Sequence, residues 1–142
     1  MTNPALHFLR RLVSPDDLGH AVSPEVRRLA AALLAAEAPA DGRERIYLSG
    51  PMTGLPECNF PAFHAAAKRL RAQGHAVVNP AELNPDPGTP WKACLRVDLR
   101  AMLTCSRIAL LPGWHASDGA HLELHVAHRV GIAIDHELEI AP

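Results

Sequence analysis

From residue 43 onward the chain alternates between two periodicities, and this constrains its fold more than any other feature. Short apolar runs at 45–49, 76–79, 107–111 and 131–134 read as strands. Between them, apolar residues recur every three or four positions: Phe60, Phe63, Ala67 and Leu70; then Leu95, Leu99, Met102 and Leu103 within 91–103; then the stretch 120–130. Gly74 stops the first of these helices. Pro80 halts the second strand, and the prolines and glycine of 84–90 form a loop. A short fifth strand is predicted at 138–140. Strands alternating with helices imply right-handed βαβ units. The expected fold is therefore α/β, a parallel sheet of four to five strands covered by helices on both faces.

Residues 1–43 stand apart as an N-terminal helical extension, ahead of an α/β domain spanning 44–142. Within the extension, residues 1–22 show no clean period, and Pro15, Asp16, Asp17 and Gly19 read as a turn. Ser23, Pro24 and Glu25 then open a helix with a capping serine, a proline at the first helical position and an early acid. Its stripe of Val26, Leu29, Ala30, Leu33 and Leu34 is expected to dock on the core or on a second chain, and residues 39–42 end it.

Composition removes several classes of function. With 48% hydrophobic and 20% charged residues, the chain is neither disordered, nor a coiled coil, nor collagen-like. Lys and Arg number 14 against 15 Asp and Glu, so no basic field exists to hold a nucleic-acid polymer or an anionic membrane. Aromatics at 4% argue against stacking platforms for single strands. No apolar run approaches the ~20 residues of a membrane span, and the N-terminus lacks the apolar core of a signal peptide. Cys58, Cys94 and Cys105 are odd in number and form no CxxC pair, which suits free thiols in a reducing cytoplasm.

In open parallel sheets, ligands gather beyond the carboxyl ends of the strands. One crevice is therefore expected to collect residues 47–54, 79–82 and 113–123. On a helix starting near Gly119, Ala120, Leu124 and Ala127 share a side, and Glu123 lies on that side. A carboxylate there is costly unless paired, protonated or facing a cavity; the alternative is a glutamate at the edge of the stripe, reaching solvent. Asp98 repeats the pattern, three residues after Leu95 and four before Met102, with an ion pair to Arg96 or Arg100 as its alternative. Two inward acids at the ligand end of a sheet suit glycosidic-bond cleavage. The loop Ser49, Gly50, Pro51, Met52, Thr53 and Gly54 is either a plain turn or an anion cradle of backbone N–H groups and hydroxyls. It is neither a P-loop nor a GxGxxG. His121, His125 and His128 form a stripe that is solvated or subunit-facing rather than zinc-binding, because HExxH is absent. Trp91 and Trp114 read as anchors between loop and core, and Trp114 is also a candidate floor for a base pocket.

The segments 47–54, 78–82, 96–99 and 117–123 together resemble a branch of small bacterial and phage proteins. That branch is similar in turn to the nucleoside 2-deoxyribosyltransferase superfamily, including the 2′-deoxynucleoside 5′-monophosphate N-glycosidases. The resemblance covers about 45–134. It implies a flavodoxin-like three-layer sandwich, a homodimer or higher homo-oligomer and a small nucleotide or nucleoside as substrate; a cytoplasmic location is expected from the cysteines, and neither cofactor nor metal is expected because two carboxyls suffice for the charge changes. Carried over by position, Glu123 matches the glutamate that attacks C1′. Asp98 matches the aspartate that assists protonation of the leaving base, and Tyr47 an aromatic hydroxyl beside the glutamate. The 49–54 loop matches the part that receives the substrate's 5′ end. Asn79, Trp114, Ser117, Asp118 and Gly119, placed at the same crevice by the fold, complete the expected substrate-binding set. Six residues before the nucleophile, transferases for free nucleosides carry an aspartate and the monophosphate hydrolases a serine; this chain has Ser117. His121 replaces a smaller residue and is expected to narrow the pocket. The 1–43 extension is expected to cover the site or to form a subunit interface.

The resulting expectation is an N-glycosidase that releases free base and deoxyribose 5-phosphate from a 2′-deoxynucleoside 5′-monophosphate. The alternatives are deoxyribosyl transfer between bases and a non-catalytic nucleotide-binding regulatory module.

Overall fold

A computed structural model describes residues 4–14, 17–36 and 43–136. Four strands, β1 (Arg45–Ser49), β2 (Ala76–Val78), β3 (Arg107–Leu110) and β4 (Ala133–Asp135), form one all-parallel sheet in the order β2-β1-β3-β4. The helices are α1 (Pro4–Val13), α2 (Pro24–Ala36), α3 (Phe60–Ala72), α4 (Pro80–Leu83), α5 (Trp91–Met102) and α6 (Asp118–Val130). The architecture is α/β, a flavodoxin-like three-layer sandwich.

All five residues of β1 are buried, as befits a central parallel strand. Successive side chains leave it on opposite faces. Ile46 and Leu48 pack against Phe63, Ala66, Ala67 and Leu70 of α3. Tyr47 packs in the other direction, in the core formed by Met102 of α5 and Ala127 of α6. This parity sends Tyr47 and Ser49 to the same face of the sheet, the one that α5 and α6 cover.

The structure departs from the sequence reading at several element ends. A helix, α1, occupies part of the stretch that shows no clean period; it buries none of its residues and packs on α2. Pro80 opens α4 instead of merely ending a strand. The Asn79 side chain accepts a hydrogen bond from the Ala81 N–H at 3.0 Å, and a proline at the first helical position has no N–H to leave unpaired. The last strand begins at Ala133 rather than 131, because Gly131, at φ +82°, caps α6 in the left-handed conformation. The strand expected at 138–140 lies outside the described residues, as do Pro15, Asp16 and the terminator at 39–42.

The extension docks in a way the stripe does not predict. Helix α2 packs on α5 and α4 and buries Ala30 and Ala31, while Val26, Leu29 and Leu33 are 43%, 56% and 49% exposed. Alanine lets helices approach closely, so the small face is turned inward and the leucine face outward. Among the described residues, no helix is long and apolar enough to cross a membrane.

Where β1 gives way to its loop, Gly50 passes the chain leaving β3. A Cβ at this position would lie 2.7 Å from Leu111 Cβ, too close without a backbone shift. Gly50→Ala is expected to lower stability by about 1–3 kcal/mol, measured by thermal melting. An unchanged melting temperature would mean that the loop is free to move away.

Candidate active site

The site is assembled at the carboxyl ends of β1 and β3, where the strand order reverses direction. Ser117 caps α6, its hydroxyl accepting from the Ala120 N–H at 3.2 Å. Two turns of that helix then bury Ala120, Glu123 and Ala127, spaced three and four apart. Glu123 is thereby carried into the layer between helix and sheet with only 6% of its surface exposed. Asp98 projects from α5 and Asn84 ends α4. A cavity of about 380 Å³ opens over both acids; its wall includes Gly50, Met52, Thr53, Gly54, Asn84, Trp91, Cys94, Ser117 and Gly119. An adjoining hollow of about 360 Å³ shares Met52, Thr53, Trp91, Ser117 and Gly119 and adds Pro51 and Asp118.

The electrostatics follow from burial. Loss of water pushes the Asp98 carboxyl up to about 7, opposed by a hydrogen bond donated by Asn84 Nδ2 at 2.7 Å. Glu123 is raised well above the ordinary carboxylate range, first by burial and then by the charge of Asp98. The hydroxyls of Tyr47 and Ser49 act in the opposite sense; Ser49 Oγ donates to Glu123 Oε1 at a long 3.4 Å. The Tyr47 phenol is itself raised, by burial and by both carboxylates. Its hydroxyl faces Glu123 without closing a hydrogen bond of ordinary geometry. Three buried polar atoms left without a partner, Tyr47 Oη, Asn84 Oδ1 and Glu123 Oε2, thus belong to this one site. Buried orphans of this kind are rare, and each marks a place where something outside the described chain is needed or where strain is held. Two like charges cannot both be carried cheaply at this spot, so the pair titrates as a unit and holds a proton through the neutral range.

The residues singled out from the sequence fall into three groups. Asp98, Glu123, Gly50, Met52, Thr53, Gly54, Ser117 and Gly119 line the main cavity, and Pro51 and Asp118 line its neighbour. Tyr47 and Ser49 lie beneath Glu123 instead of on the open wall, both buried in the layer below. Asn79 and Trp114 stand apart from both hollows. Asn79 is consumed by capping α4 and by its amide contacts with His64 and Glu82. Trp114 packs among the rings of His115, His121 and His136. His121 does not narrow the pocket: its ring is exposed and sits 2.7 Å from the His115 carbonyl oxygen. Among the described residues, no group of His, Cys, Asp and Glu is arranged to hold a metal ion, and the three cysteines are free. Asp98 bonds Asn84 in place of the alternative ion pair to Arg96 or Arg100.

Asn84, Trp91 and Cys94 are cavity residues that sequence reasoning does not assign to the site. A signal for Asn84 is present: a polar residue soon after the second strand, on the ligand side of the sheet. Trp91 reads as an anchor, yet it is exposed along the wall shared by both hollows.

Residues 44–136 match the family described as a domain of unknown function, DUF4406. The match spans well over half of the chain and includes every cavity residue named above. The protein belongs to the DUF4406 family. Among curated proteins, none matches the chain. The match begins at residue 44, so α1 and α2 precede the part of the chain that defines a DUF4406 domain. They nonetheless bear on the site, because α2 packs against the two helices that carry Asn84 and Asp98.

Proposed function

We propose that this DUF4406 protein hydrolyses the N-glycosidic bond of a 2′-deoxynucleoside 5′-monophosphate. The observation that carries the reading is the meeting of two acids from different helices, Asp98 and Glu123, on one cavity wall, both weakened as acids by loss of water and with no basic partner among the described residues. A pair in this state is matched to a reaction that needs one carboxylate and one carboxylic acid at the same moment. In the reacting state the single proton of the pair is on Asp98, and a Glu123 carboxylate oxygen forms a bond to C1′ as the C1′–N bond breaks through an oxocarbenium-like state. The bonding electrons pass to the base, and Asp98 supplies its proton. Asp98, now ionised, takes a proton from water, whose oxygen attacks C1′ and frees Glu123. The sum is nucleotide plus water giving free base and deoxyribose 5-phosphate. Ser49 donates to Glu123 from beneath, and the Tyr47 and Ser49 hydroxyls both favour its charge.

At the 5′ end, the reading is supported by the positive end of the α6 dipole, which lies beside Ser117, Gly119 and Thr53, with Asp118 of the same turn also on the wall. Monophosphates are expected to be cleaved about tenfold better than the matching nucleosides, the worth of one charge-assisted hydrogen bond. Ser117→Asp should erase that preference. Aspartate caps a helix as well as serine does, so the loss would report a negative charge set against the phosphate. Release of free base from nucleotide and nucleoside, followed by chromatography, tests this. Faster cleavage of nucleosides by the unaltered protein would overturn the phosphate assignment.

A further inference from the structure

The orphaned acceptor beside Asp98 carries a second inference. Asn84 is 6% exposed, lines the cavity wall and ends α4. Its amide orientation is set by what it donates: Nδ2 lies 2.7 Å from Asp98 Oδ1 and 3.4 Å from the Pro80 carbonyl oxygen. The Pro80 carbonyl oxygen requires a donor whatever the protonation state of Asp98, so Nδ2 stays on that side of the amide. Its Oδ1 is left buried with no donor, a state that costs free energy unless a ligand supplies one. When Asp98 holds the proton of the pair, Oδ1 is already accepting from Asn84, so the proton is on Oδ2. Side by side, the two residues therefore offer a donor, Asp98 Oδ2–H, and an acceptor, Asn84 Oδ1.

We propose that Asn84 makes this site selective for bases with an exocyclic amino group next to the ring nitrogen that receives the proton. The inference rests on the N-glycosidase reading and adds its substrate class. In adenine, N7 accepts and the neighbouring 6-amino group donates; in cytosine, N3 accepts and the 4-amino group donates. Either edge complements the Asp98–Asn84 pair. Guanine and hypoxanthine place a 6-oxo acceptor against Asn84 Oδ1, and uracil and thymine offer an N–H where Asp98 must give a proton. As the C1′–N bond breaks, the proton moves from Asp98 Oδ2 to the ring nitrogen and the bond's electron pair enters the base. The amino hydrogen bond to Asn84 holds that nitrogen in register. A site built to bond a particular donor discriminates strongly against an analogue lacking it, because its own buried acceptor then stays unpaired.

The test uses the full chain and two substrate pairs that each exchange the amino group for an oxo group. These are the 5′-monophosphates of 2′-deoxyadenosine and 2′-deoxyinosine, and those of 2′-deoxycytidine and 2′-deoxyuridine. The amino member of each pair is expected to show a kcat/KM about tenfold or more above its oxo partner. Asn84→Ala should bring both ratios close to one, with melting curves showing that the variant is folded. Equal cleavage within the pairs, or preference for the oxo members, would overturn the role of Asn84 and leave the N-glycosidase reading standing. If no member is cleaved, the reaction assignment fails. Calorimetric binding of the same four compounds then decides the selectivity alone: tighter binding of the amino members, lost in Asn84→Ala, supports it, and equal or absent binding overturns it.

Discussion

Glu123→Gln is expected to abolish turnover and, in the same molecule, to raise the melting temperature above neutral pH. The two effects have one cause. Glu123 is buried, and both the loss of water and the nearby Asp98 oppose its charge. Its folded-state pKa lies above the unfolded value, so its contribution to stability is fully present below the unfolded carboxylate range near pH 4 and is lost as pH rises through the folded value. Every tenfold weakening of the acid on folding costs about 1.4 kcal/mol once the group is ionised. Glutamine keeps the shape, has no charge to bury and can use the Ser49 and Tyr47 hydroxyls. At pH 8 the variant should melt several degrees higher, at about 4 °C per kcal/mol for a chain of this size. At pH 4 the difference should vanish. Activity should fall by a factor on the order of 10³ or more, because the amide cannot form the bond to C1′. A variant that retains full activity would remove Glu123 as the nucleophile. One that melts lower than the parent at pH 8 would show that the ionised carboxylate is favoured where it sits.

The pH dependence of the reaction supplies the second large effect. Asp98 must hold a proton to give to the base, and its carboxyl is pushed up to about 7. The pair takes up its second proton as pH falls through about 7 and gives up its last only well above the ordinary carboxylate range, so the rate is expected to fall in acid below about 7 and to fall again in base. The profile is a bell whose limbs belong to the pair, not to either residue alone. Asp98→Asn should lower kcat by about 10²–10⁴-fold and flatten the basic limb, because the group that loses its proton there has gone. Stability should respond with the same sign as for Glu123: Asp98 contributes most below pH 4 and loses that contribution as pH passes through about 7. A basic limb that persists unchanged in Asp98→Asn would assign the essential proton to another group.

Both effects arise because the site sets function against stability. Its two carboxyls are each less stable ionised than they would be in water, and three polar atoms lie buried without partners. Such conflict is common where a site must act on a ligand, and it is tolerated because the surrounding sheet and helices are well packed. Tyr47, Met102, Ile108, Ala120 and Ala127 are all fully buried.

The sequence by itself was enough to determine the layered α/β architecture. Strand and helix periods are local properties, and a chain that alternates them can bury both kinds of apolar face only in a covered parallel sheet. It was also enough to mark Glu123 and Asp98, since a carboxylate interrupting an apolar stripe is visible in the spacing alone. The tertiary structure decided the rest. Asn79 and Asn84 look alike in sequence, but Asn79 is tied up by the N–H of Ala81 and the side chain of His64, while Asn84 keeps a free acceptor beside Asp98. Trp91 and Trp114 exchange roles for a similar reason: Trp114 finds imidazole rings to pack against, and Trp91 is left on the cavity wall. The exposed leucine face of α2 follows from the burial of Ala30 and Ala31 on its other side. Each of these outcomes is a competition among partners distant in sequence. Periodicity tells which side of an element a residue occupies, but only the packed fold determines what waits on that side.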